Sequence, residues 1–162
     1  MTPHRHRARG HLSRGFTLIE AMVTLAVLVI LLSVAAPSFR AYTEGQRIKT
    51  ATQELVYGLS YARSEAIARR ANVSLVAASG GFVNGWTIET GTTVLREQAA
   101  LSGIAISGAT ATTLTYGLDG RSGDAFSTMI EAPSGGVSTE KRCVSIDAMG
   151  MPRSRKTAAS TC

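Results

Sequence analysis

Between Phe16 and Ala36 lie 21 residues of which Glu20 is the only charged one. At ~1.5 Å per residue a helix over this run spans roughly 30 Å, about one bilayer hydrocarbon core. Cleavable secretory signals have a shorter apolar core followed by small residues at the cut site. Ala35-Ala36-Pro37 resembles such an end and keeps that alternative open. The preceding flank points the other way. Residues 1–15 carry Arg5, Arg7, Arg9 and Arg14, the histidines His4, His6 and His11, and no acid. Such a basic flank holds the N-terminus in the cytoplasm while the rest of the chain crosses. Glu20 then needs an explanation, because a carboxylate within lipid is costly and is expected to have a partner. The plainer alternative is a side chain that snorkels to the interface.

Beyond the run, Ile48, Ala51, Leu55, Leu59, Ala62 and Ala66 step by three or four and form one apolar stripe. Arg47, Lys49, Glu54, Arg63 and Glu65 fall largely off it. The spacing predicts a single helix that continues from the membrane segment to about Arg70, with its stripe packed on a sheet built from the residues after it. After Asn72 the texture changes to short runs separated by glycine-rich turns. Val73–Ala77, Gly85–Glu89, Thr93–Glu97, Ile104–Ser107, Thr113–Tyr116, Phe126–Glu131 and Arg142–Ile146 read as strands. A helix succeeded by closely spaced strands is an α+β layout, with an antiparallel sheet against one helix. The expected organisation is a leader over 1–15, a transmembrane segment over 16–36, an amphipathic helix over 37–70 and a β-rich domain over 71–162.

Charge is unevenly placed. Without residues 1–15 the chain keeps 13 basic and 11 acidic residues, a net charge of +2. From Ala71 to Glu140 six acids face two arginines, Arg96 and Arg121. From Lys141 onward five basic residues, Lys141, Arg142, Arg153, Arg155 and Lys156, face Asp147 alone. A weakly acidic body ending in a basic tail can mark a polyanion contact. A solvated tail that only aids solubility is the alternative.

Enzyme chemistry finds little support. All three histidines lie before Gly15, so the rest of the chain lacks the usual base of a hydrolase and the commonest metal ligand. Asp119 and Asp124 flank a glycine turn, but without the run of oxygen ligands of a calcium loop they read as turn residues. No cofactor, metal or catalytic residue is expected. Trp86 reads as an anchor of the sheet. Cys143 and Cys162, in a domain facing an oxidising compartment, are expected to pair, with two free thiols as the alternative.

The string Gly15-Phe16-Thr17-Leu18-Ile19-Glu20 resembles the processing site of type IV pilins and type II secretion pseudopilins. The resemblance implies that a prepilin peptidase cuts after Gly15, that Phe16 becomes the methylated N-terminus, and that the apolar segment is retained. It also implies a partner for Glu20, the N-terminal amine of a neighbouring subunit during assembly. Pro37 falls where the helices of this family bend. The match narrows to the GspH/FimT group of minor pilins and minor pseudopilins at Glu54-Leu55-Val56 and Tyr61-Ala62-Arg63-Ser64-Glu65-Ala66-Ile67, with Gly85-Trp86 fitting as well. In the FimT branch the last turn carries a Gly-Arg-x-Arg motif that contacts DNA in natural transformation. Here Gly150 and Arg153 align with it, Met151 replaces the first arginine, and Arg155 and Lys156 come next.

The resemblance implies one of two functions. One is a minor type IV pilin that primes or joins a pilus and binds DNA for uptake through a basic C-terminal loop. The other is a minor pseudopilin of a type II protein secretion system. Both imply an inner-membrane protein with one span and a periplasmic C-terminal domain. Its partners would be the peptidase, other pilins or pseudopilins, the membrane and, for the first, DNA.

Overall fold

A computed structural model of the chain describes residues 15–147 and 149–162. Arg5, Arg7, Arg9, Arg14 and the three histidines lie outside the described residues. The chain divides into two compact units, Met1–Ala36 and Pro37–Cys162, and one helix, α1 (Leu18–Arg69), contributes to both.

In the first unit α1 starts at a cap the sequence supplies. Thr17 precedes the first helical residue, and its Oγ1 accepts the N–H of Glu20 at 3.3 Å. Glu20 is thereby the third residue of the helix, where a carboxylate faces the positive end of the helix dipole. The large apolar side chains from Phe16 to Val34 are exposed. By length and composition this helix can cross a membrane. Pro37 lies inside α1, where it has no N–H to give the carbonyl four residues back.

In the second unit the predicted stripe is the buried face of α1. Ile48, Ala51, Leu55, Leu59, Ala62 and Ala66 are all buried. The helix ends where Arg70 turns left-handed, at φ 49°. There the N–H of Ala71 reaches the carbonyl of Ala66 at 3.3 Å and that of Arg70 the carbonyl of Ile67 at 3.4 Å. This is the pair of hydrogen bonds of a Schellman end, with arginine where glycine is usual.

Among the described residues eight strands complete the unit: β1 (Val73–Ala77), β2 (Trp86–Thr90), β3 (Thr93–Gln98), β4 (Ala105–Ser107), β5 (Thr113–Tyr116), β6 (Ser127–Glu131), β7 (Lys141–Ile146) and β8 (Pro152–Thr157). They form two antiparallel four-stranded sheets, ordered β3-β2-β1-β5 and β4-β6-β7-β8. One core joins the helix stripe to Leu75, Ile88, Leu114 and Tyr116 of the first sheet and to Ile130 and Val144 of the second. Phe82 and Phe126 meet edge to face within it, 5.5 Å apart. Trp86 is buried against the helix at Gly58, where an added Cβ would lie 2.8 Å from its Nε1. Glu44 fastens the β6–β7 connection to α1, because its Oε2 accepts the N–H groups of Val137 and Ser138 at 2.8 and 2.7 Å.

Seven strands fall within one residue of the expected positions. The eighth is a correction. Residues 152–157 are not a loop or tail but a strand that pairs with β7 over six residues. The expectation failed because the segment opens on proline, alternates charge with serine and has no apolar face to betray a strand.

Candidate functional site

The basic residues of the C-terminal segment are placed by the β7–β8 register. Arg153 pairs with Ser145, Arg155 with Cys143, and Lys156 with Arg142. Side chains alternate along a strand, so Arg153 and Arg155 share one face and Lys156 takes the other. On β7 the Val144 side faces the core. Arg153 and Arg155 therefore lie on the outer face, where they line a shallow groove with Ser145 and Ser154. Lys156 lies on the helix side, in a second groove with Lys49, Tyr42 and Glu140. The three cations expected to act together are split between two faces.

Cys143 and Cys162 form a disulfide, with their Cα atoms 5.6 Å apart. Cys143 is on the outer face opposite Arg155, so the bridge draws the residues after β8 back across that face. It pins the C-terminus, while the β7–β8 ladder presents the arginines.

The turn into β8 is organised by Asp147. Its Oδ1 accepts the N–H groups of Met149 and Met151 at 3.0 and 2.9 Å. Its Oδ2 accepts from Arg153 Nε at 3.2 Å. The hydrogen bond from Met151, helped by Arg153, holds its carboxyl below the usual range. Gly150 completes the turn at φ 77°, and an added Cβ there would lie 2.5 Å from the carbonyl oxygen of Gly120. The β5–β6 connection is thus packed directly on this turn.

Arg63 of α1 ties the two together. Its Nε donates to the carbonyl of Gly120 at 2.9 Å, and its Nη1 lies 3.1 Å from the thioether sulfur of Met151. Beneath them the hydroxyl of Tyr116 is buried and has no hydrogen-bond partner among the described residues. Burial pushes its pKa up to about 12. Arg121 comes directly after Gly120 with its side chain 60% exposed, and its Nε lies 3.8 Å from Asp119 Oδ2. Neither Arg63 nor Arg121 was among the candidate residues, and no local signal marks them, since Arg63 and Met151 are 88 residues apart.

Three other candidates occupy the first unit. Gly15 and Phe16 precede the helix and are exposed, and Glu20 stands in its first turn. Asp119 is a turn residue, since its Oδ1 accepts the N–H of Arg121 at 3.0 Å.

Comparison with known proteins gives two family models. Residues 51–150 match the model of type II transport protein GspH, and residues 11–36 match the prokaryotic N-terminal methylation motif. No curated protein matches the chain. Among solved structures, the type IV minor pilin FimU of Pseudomonas aeruginosa is similar at a TM-score of 0.59 and 22% identity. The likeness covers 70% of this chain and 98% of that one. A second crystal form of FimU gives 0.58 and 22%, covering 72% and 92%. The minor pseudopilin EpsH from the type 2 secretion system of Vibrio cholerae gives 0.53 and 14%, covering 68% and 97%. At these identities the likeness is one of fold.

Proposed function

The chain belongs to the GspH family of minor pilins and minor pseudopilins, and we propose that it is a FimT-like minor pilin of a type IV pilus that binds DNA. In this reading a prepilin peptidase cuts after Gly15 and Phe16 is methylated. Residues 16–36 hold the subunit in the inner membrane, with residues 71–162 in the periplasm. Pro37 removes one backbone hydrogen bond of α1 at the end of the membrane segment. Glu20 pairs with the N-terminal amine of a neighbouring pilin. The apolar, exposed first part of α1 with one carboxylate in its first turn supports that role, since a charge within lipid is retained where it has a partner.

The observation that carries the DNA reading is the outer face of β8. Two arginines at alternate positions of an edge strand present guanidinium groups without a helix or sheet to cover them. Phosphate contacts of this kind give affinity without sequence preference. Lys156, on the opposite face, is assigned no phosphate.

The test is a salt titration of duplex DNA binding by the full chain in detergent micelles. Replacing Arg153 and Arg155 with alanine should flatten the plot of log K against log salt by about 1.8, at ~0.9 per lost phosphate contact. Lys156→Ala should leave it unchanged. Absence of binding by the wild-type chain at low salt would remove the DNA reading and favour a minor pseudopilin of a type II secretion system.

A further inference from the structure

We infer that Arg63 and Arg121 belong to the same phosphate-binding surface as Arg153 and Arg155, and that Arg63 supplies the charge which Met151 withholds. The inference rests on the DNA reading above and concerns which residues make that site. Its basis is a junction of three elements. The β5–β6 connection packs on the turn before β8 so closely that Gly150 has no room for a side chain. That contact brings Arg121 to the turn, because the Cα of Arg121 would lie 3.2 Å from an added Cβ on Gly150. Arg63 reaches the same place from α1. Its guanidinium is fixed by the carbonyl of Gly120 and rests on the sulfur of Met151.

A guanidinium has five N–H donors. Two of the Arg63 nitrogens are engaged, one of them by a thioether, which is a weak acceptor. No carboxylate pairs with Arg63 among the described residues. A cation held in place by neutral groups keeps its full charge for an external anion, and its ordering is already complete before binding. Met151 precedes Arg153 by two positions, so the Arg63 charge sits where a side chain two residues before Arg153 would deliver one. Four arginines then face two aspartates, Asp119 and Asp147, which leaves the junction with a net positive charge. Asp147 is occupied by the turn's own N–H groups as well as by Arg153.

The experiment is the same salt titration with Arg63→Gln and Arg121→Ala, alone and together. Glutamine keeps an N–H donor for Gly120 while removing the charge, and the Arg121 side chain is exposed, so thermal unfolding should be unchanged. The wild-type slope should be roughly −3.6 on duplex DNA, falling in magnitude by about 0.9 for each single variant. Met151→Arg placed in the Arg63→Gln chain should restore the lost ~0.9. Should Arg63→Gln lower the unfolding temperature, the Arg121→Ala slope decides. Unchanged slopes in both variants, with loss on replacing Arg153 and Arg155, would overturn this inference and leave the DNA reading standing. No wild-type binding at low salt would overturn both.

Discussion

At the scale of single residues, the hydroxyl of Tyr116 lies in the core beneath the Arg63 junction with no hydrogen-bond partner among the described residues. A buried polar group without a partner costs about 1–3 kcal/mol relative to its solvated state. Tyr116→Phe should therefore leave stability unchanged or raise it by up to about 1 kcal/mol. The hydroxyl also sets a pH dependence. Its pKa near 12 in the folded chain exceeds the ordinary value of 10. Between those values the unfolded chain releases the proton first, so stability falls as pH rises through that window. In Tyr116→Phe this part of the alkaline loss should vanish. Thermal unfolding from pH 7 to 11 checks both, and a clear loss of stability at pH 7 would mean that the hydroxyl is hydrogen-bonded after all. Asp147 acts at the other end of the scale. Its lowered pKa contributes stability above the unfolded value, lost as pH falls through the folded one.

At the scale of elements, what the sequence revealed and what it hid divide by the source of each signal. The stripe of α1 was legible because burial on one side of a helix forces a three-and-four spacing. Strands β1 to β7 were legible because β-branched runs alternate between glycine turns. Strand β8 was not, since it pairs by backbone alone and gains no face from its side chains. The cysteines were legible as a pair, but their effect was not. Without β8 the bridge would simply close residues 143–162 into a loop. With β8 in place it pins the residues beyond the strand. Cys143→Ser with Cys162→Ser should then cost roughly 3 kcal/mol by the chain-entropy account of a bridge of separation 19. Because the β7–β8 ladder remains, the slope of DNA binding should persist in the folded double mutant. Chemical denaturation and the salt titration read the two effects separately, and loss of binding in a still-folded double mutant would return the presenting role to the bridge.

At the scale of the whole molecule, the chain combines two solvent regimes. Its first unit exposes apolar side chains that only lipid or other apolar helices can cover, and its second buries a conventional core. The local string at Gly15 to Glu20 and the ending of α1 pointed to the family because they are contiguous. The basic junction stayed hidden because it draws on α1, the β5–β6 connection and β8, which only folding brings together. In the proposed function the apolar segment is kept as a subunit's assembly helix and not discarded as a signal. Mass spectrometry of the mature chain, purified from membranes of cells with an active prepilin peptidase, tests it directly. The expected N-terminus is methylated Phe16 in the wild type, with a full-length membrane-bound precursor for Gly15→Val. A mature chain beginning at or after Pro37 would contradict it.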